Sequence, residues 1–161
     1  ATPAGWYPEP GADVWGSMAK NDGFQTVSTS TPVLVTGMVL KGTSGGSFTV
    51  SSNRIKVPVS GMYRIVVSGY ASGTGTAVII FGINTSGTTI NTSVYPSVRI
   101  KRTEVTVDET AEGSAIAKVL STDTIGLLIS SPQGVSVSCW GGPTDPNSST
   151  GIRLEYVGPP K

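Results

Sequence analysis

The sequence predicts an all-β protein. Three observations carry that expectation: short apolar runs rich in Val, Ile, Thr and aromatics, punctuation between them by Gly, Pro, Ser, Asn and Asp, and no window with a sustained i, i+3, i+4, i+7 pattern. Many short strands at this spacing build a β-sandwich or a barrel. The length of 161 residues suits one domain. A chain that long buries enough surface to fold without disulfides or a metal.

Residues 1–23 stand apart. They hold Pro3, Pro8 and Pro10, with Gly5, Gly11, Gly16 and Gly23 between, and show no period of 2 or 3.6. Proline at that density excludes a helix or a central strand, because it lacks the N–H that either ladder needs. Yet the segment also carries Trp6, Tyr7, Trp15 and Met18, whereas disordered linkers are poor in aromatics. An extended arm is expected, packed on its own domain or docked on another chain rather than free. Trp6, Tyr7 and Trp15 are its candidate anchors, since Trp and Tyr offer wide contact area at small entropic cost.

From Phe24 onward the expected strands are 24–28, 33–40, 47–50, 54–57, 61–71 and 76–84, then 98–107, 114–120, 124–130, 134–140 and 151–157. Residues 42–46, 72–75, 84–87 and 143–149 are the clearest turns. Residues 109–120 come nearest to a helical pattern, but their alternation also suits a strand. The domain proper is therefore expected over 24–161.

Two kinds of strand can be told apart. Ile55, Val57 and Val59 alternate with Arg54, Lys56 and Pro58, and Tyr63, Ile65 and Val67 with Arg64, Val66 and Ser68, as in a sheet with one wet face. Residues 77–83, AVIIFGI, are apolar at nearly every position, and Val66, Leu127 and Ile129 add to the excess. Continuous apolar runs mark strands covered on both faces. In a sandwich the core covers one face, so the other needs a subunit interface or a cover from the chain's own loops or arm. The interface reading makes Val66, Val78, Ile79, Ile80, Phe81, Leu127 and Ile129 candidate contact residues.

Residues 55–71, IKVPVSGMYRIVVSGYA, resemble the signature of the tumour-necrosis-factor and complement globular-head jelly rolls. There an apolar strand ends at a proline and a Gly-x-Tyr opens a long core strand; Pro58, Gly61 and Tyr63 hold those places. AVIIFGINTSG is similar to the family's apolar strand with a polar turn. Residues 113–131, GSAIAKVLSTDTIGLLISS, resemble its strand–turn–strand, with Leu120, Asp123, Ile125 and Leu127 in matching places and Thr122 where Gly is usual. GIRLEYVG is shaped like the closing core strand, without the family's Phe and Gly pattern. The resemblance implies a two-sheet antiparallel jelly-roll sandwich, here preceded by an extended arm, that forms a homotrimer and binds or displays rather than catalyses. It also leaves room for calcium, but Asp123 in a Ser-Thr-Asp-Thr turn reads as an acceptor of backbone N–H bonds. Gly61 is expected at a turn that needs positive φ.

Composition narrows the function classes. The chain has no histidine, which removes every Ser-His-Asp and Cys-His mechanism and every histidine metal site. One cysteine excludes an internal disulfide and a zinc knuckle, and Cys139 in VSVSCWGG has no basic sequence neighbour to activate it. A net charge of +1 leaves no footprint for nucleic acid or an anionic membrane. RIKR at 99–102 is too short for a nucleic-acid groove and suits a soluble strand edge. SGTGT at 72–76 lacks the lysine and helix of a phosphate loop. Among the carboxylates, Asp108, Glu109 and Glu112 cluster, and a pair such as Glu104 with Asp108 is of the kind that does acid–base work on a glycan. A solvated loop beside Arg99, Lys101 and Arg102 is the simpler account. Asn84, Asn91 and Asn147 head Asn-x-Ser/Thr triplets, which chance supplies in a Ser/Thr-rich chain. Trp140, beside Gly141 and Gly142, is either an exposed aromatic for a ligand or partner or a core-edge residue.

The N-terminus lacks the basic start and apolar centre of a signal peptide, and no stretch reaches the roughly 18 apolar residues of a membrane span. Only 13% of residues are charged, against about 25% in an average soluble protein, and Ser, Thr and Gly fill the polar positions. That composition is similar to tailed-bacteriophage structural proteins, in which such jelly rolls serve as capsid decoration and tail-fibre heads. The expectation is a non-enzymatic, cofactor-free homotrimer on a virion surface, made in the host cytoplasm and docked on a major capsid or other virion protein. The alternative is a receptor- or glycan-binding head of a tail fibre or of a secreted complement-like protein.

Overall fold

The computed structural model describes residues 7–9, 13–73, 77–87, 89–92, 94–102, 109–141 and 150–161. Every regular element among them is a strand. In chain order these are β1 (Trp15–Lys20), β2 (Gly23–Val27), β3 (Val33–Leu34), β4 (Met38–Ser44), β5 (Thr49–Ser51), β6 (Arg54–Lys56) and β7 (Gly61–Gly73). There follow β8 (Ala77–Asn84), β9 (Val98–Arg102), β10 (Glu109–Val119), β11 (Ile125–Ser130), β12 (Val137–Gly141) and β13 (Gly151–Gly158). All pairings are antiparallel. A large sheet runs β2-β12-β7-β13-β1-β4, with β10 along the other edge of β7. A small sheet runs β5-β6-β11-β8-β9, with β3 also on β11. The two pack face to face as a jelly-roll sandwich.

The core follows the period-2 alternation of the two sheets. From β7, Tyr63, Ile65, Val67 and Ala71 point inward; β13 adds Ile152, Leu154 and Tyr156, and the small sheet Ile79, Phe81, Ile83, Ile125, Leu127 and Ile129. Burying each large side chain contributes on the order of 1.5–3 kcal/mol. Tyr63 sits at the centre, fully buried, its ring edge-on to Phe48 and Tyr156 and its hydroxyl donating to the Val59 carbonyl at 2.7 Å. Gly61 is required by close approach rather than by positive φ, because a Cβ there would lie 2.4 Å from the Tyr156 ring and 2.8 Å from the Gly158 carbonyl oxygen.

The expected arm boundary at residue 23 does not hold. Residues 15–20 form β1, hydrogen-bonded between β13 and β4 inside the large sheet, so the sandwich begins at Trp15. The proline-rich stretch ends at Pro10, and 15–20 alternates as any strand does. Its inward positions are Gly16, Met18 and Lys20, which carry no β-branched signature. Gly16 gives room to the Phe48 ring, 2.3 Å from where its Cβ would be. Lys20 is 1% exposed, its ammonium paired with the Asp22 carboxylate and donating to the Thr36 carbonyl at 3.0 Å. The run 33–40 is likewise two strands: Gly37, at φ +70°, breaks it with the Asp22 carboxylate packed against its Cα. The near-helical 109–120 is β10, paired with β7 along its whole length.

The doubly apolar strands have their explanation here. Ile79, Phe81, Leu127 and Ile129 are fully buried in the chain's own core, and so are not subunit-contact residues. On the outward side of the same sheet, Gly82 lies under Ile90 and Gly126 under Leu34 and Arg54; Leu128, which registers with Gly82 and Leu34, is fully buried. The loop after β8 is held over this face by the Asn91 N–H donating to the Ile83 carbonyl at 3.0 Å. Arg54 ties it further by donating to the carbonyls of Asn84, Gly87 and Thr124. The chain's own loop covers most of the second face, leaving Val78 and Ile80 half-buried beside it.

Candidate interaction surfaces

The large sheet turns its other face outward. On β7 the outward residues are Arg64, Val66, Ser68 and Tyr70, the positions between the core residues. Register sets Ser114 and Arg153 on either side of Val66, and Ile116 and Glu155 on either side of Arg64. Ile116 is 55% exposed and Val66 half-buried. Of the expected contact residues, only Val66 lies on this face; Val78 and Ile80 face outward from the small sheet.

Trp15 belongs to the same face and not to an arm. It pairs with Glu155 across the β1–β13 ladder. The Arg153 guanidinium stacks over its ring at 4.0 Å and donates through Nε to the Glu155 carboxylate at 2.7 Å. Of the other two anchors, Trp6 lies outside the described residues. Tyr7 is exposed and close enough to Tyr156 to raise that hydroxyl's pKa, second to the effect of burial, while Pro8 is buried.

At the opposite end of β7 three rings meet on the outward face. Trp140 stands between Phe24 and Tyr70, with centroids 6.0 and 5.5 Å away and ring planes tilted by 49° and 52°. Phe24 is 64% exposed and Trp140 half-buried, so Trp140 is the centre of a surface cluster. The sequence singled out Trp140 but not Phe24 or Tyr70, which join it only through the β2–β12 and β12–β7 pairings. Between the two ends, Ser17, Ala19, Ser68 and Gly151 floor a depression of about 230 Å³, with Lys41, Glu112 and Arg153 among its lining residues.

No catalytic constellation forms among the described residues. Asp123 closes the β10–β11 turn, its Oδ2 accepting from the Leu120 N–H at 2.8 Å. Glu112 accepts from the Ser68 hydroxyl at 3.2 Å. Burial pushes the Cys139 thiol up to about 11, with Lys20 only partly opposing it. Among the described residues, no three His, Cys, Asp or Glu side chains are grouped as metal ligands. Glu104, Asp108, Asn147 and residues 74–76 lie outside the described set, as do the side chains of Lys101, Arg102 and Glu109.

The architecture can be compared with solved structures. Eiger TNF from S. frugiperda is similar over 92% of this chain and 96% of its own, with a TM-score of 0.65 at 13% identity. Murine APRIL is similar in its pH 8.0 structure over 88% of this chain and 98% of its own (TM-score 0.57, 10% identity), and in its pH 5.0 structure over 89% and 98% (TM-score 0.55, 10% identity). The chain has a tumour-necrosis-factor-like jelly-roll fold. No family model matches the sequence, and no curated protein matches it. At these identities the likeness is one of fold alone.

Proposed function

We propose that the chain is a non-enzymatic structural protein of a virion surface, a homotrimer that decorates the capsid of a tailed bacteriophage. The observation that carries the assembly half is the outward face of the large sheet, where Ile116 stands exposed beside Val66, Arg64 and Arg153. Glu112 and Glu155 lie among those cations, so identical copies meet with complementary charges. A closed ring buries such a face without open-ended growth. The resemblance of residues 55–71 and 113–131 to the trimeric jelly rolls supports three copies, with this face in place of the small-sheet residues as the contact surface.

The virion half is supported by the charge-poor, Ser/Thr/Gly-rich composition and by the Pro- and Trp-bearing residues 1–10. Proline limits the entropy left to lose on docking, and three copies bind with avidity where their spacing matches a lattice. Deleting residues 1–6 is expected to leave the trimer assembled and to abolish attachment to a capsid of the major capsid protein. Equal attachment by the shortened chain overturns the docking role. Electron microscopy of intact particles places the protein on capsid or tail and decides between decoration and a fibre head.

A further inference from the structure

We propose that the Phe24–Trp140–Tyr70 cluster is a binding site for an uncharged pyranose sugar. The inference goes beyond the assembly reading and does not depend on it, because the three rings lie within one chain. The outward positions of β2, β12 and the end of β7 are Phe24, Thr26, Ser138, Trp140, Tyr70 and Ser72, brought side by side by the register. None is charged, whereas the other end of the same face carries Arg64, Arg153, Glu155 and Lys118. The charge pattern suits a neutral ligand at this end.

The chemistry on offer is that of a sugar ring. An aromatic face is the negative side of the ring quadrupole and takes the weakly positive C–H edge of a pyranose. Phe24 and Trp140, tilted by 49°, form an open angle rather than a flat plate. Two residues along each strand, on the same face, the Thr26 and Ser138 hydroxyls are hydrogen-bonded to each other at 2.8 Å on the exposed surface. The hydroxyl that donates in this bond keeps its acceptor lone pairs, and the other keeps its O–H and one lone pair, so together they offer a donor and acceptors to a sugar hydroxyl. Size argues against a second copy of the chain as occupant. A whole aromatic side chain buries roughly 150–250 Å², and two of these three are already half-buried, while a stable protein interface needs roughly 800 Å² per partner.

The test is isothermal titration of the full chain with neutral oligosaccharides of glucose, galactose and N-acetylglucosamine, with sialyllactose and heparin fragments as charged comparators. Saturable binding to a neutral member is expected, weakened about tenfold or more by Phe24→Ala, the loss of one stacking contact at the upper end of its range. Trp140→Leu, a second variant that keeps an apolar side chain, is expected to weaken it as well, with circular dichroism confirming the fold of both. Absence of binding to all neutral sugars at millimolar concentration overturns the proposal, as does a preference for the charged sugars. Binding unchanged in both variants overturns it too. Sedimentation of the same proteins separates the two readings: a monomer that binds sugar sinks the trimer alone, and dissociation of an oligomer by Phe24→Ala reassigns the cluster to a subunit contact.

Discussion

Tyr63 and Cys139 show how single buried groups set the response of this protein to pH. Burial raises the pKa of both, and in Tyr63 it outweighs the opposing hydrogen bond to Val59. A group whose folded pKa is raised contributes fully below its unfolded value and loses that contribution as pH rises through the folded one. For Cys139, with a folded value of about 11, the loss runs from about pH 9 to 11 and amounts to on the order of 2–3 kcal/mol. Urea midpoints measured across that range are expected to fall, and to fall less steeply in Cys139→Ala. Equal slopes in the two proteins remove the thiol from the account; Tyr63 continues the decline above pH 10 in both. Gly16 is a second residue-scale case. Its missing Cβ leaves room for the Phe48 ring, so Gly16→Ala is expected to cost about 1–3 kcal/mol by overpacking, read as a lowered urea midpoint.

At the scale of the element, β1 behaves unlike its composition. It is a central strand whose inward row ends in a lysine, tolerated because the Asp22 carboxylate and the Thr36 carbonyl meet the ammonium. Removing one partner of such a pair leaves a buried charge uncompensated, whereas replacing the cation by an apolar chain of similar volume does not. Asp22→Ala is therefore expected to destabilise by about 1–3 kcal/mol, less than for a wholly buried pair because the Asp22 side chain is 57% exposed, and Lys20→Met to lie within about 1 kcal/mol of the parent. Chemical denaturation of both measures the contrast; equal losses would show that the lysine contributes by its ion pair alone. The loop after β8 is the other informative element. Arg54 donates to three backbone carbonyls around it, so Arg54→Ala is expected to speed amide exchange at Asn91 while Ile65 and Val67 in β7 stay protected.

For the molecule as a whole, the two faces of the large sheet have separate roles. The inner one holds the core, and the outer one is divided into a charged half around Ile116 and an aromatic end at Trp140 that is uncharged among the described residues of β2, β12 and the end of β7. If the charged half is the assembly face, Ile116→Lys leaves circular dichroism unchanged and shifts sedimentation from trimer to monomer at micromolar concentration. A monomeric parent, or a variant that stays trimeric, moves the contact surface elsewhere.

How much of this was legible follows from the range of the forces involved. The all-β class, most strand positions after Phe24 and the Tyr63 strand are local properties, written in β-branched runs, turn residues and period-2 alternation that any reading of the chain recovers. Only the tertiary structure decided what was non-local. The run 77–83 reads as apolar on both faces, but nothing along it says that Ile90, a few residues on, folds back over Gly82. β1 is not legible in the sequence because Gly16 and Lys20 are inward only through Phe48 and Asp22, which belong to other parts of the fold. Phe24, Tyr70 and Trp140 are more than forty residues apart in sequence, and only strand register makes them one surface. A sequence records what each segment buries; which segment covers it is settled by the pairing of strands distant in the chain.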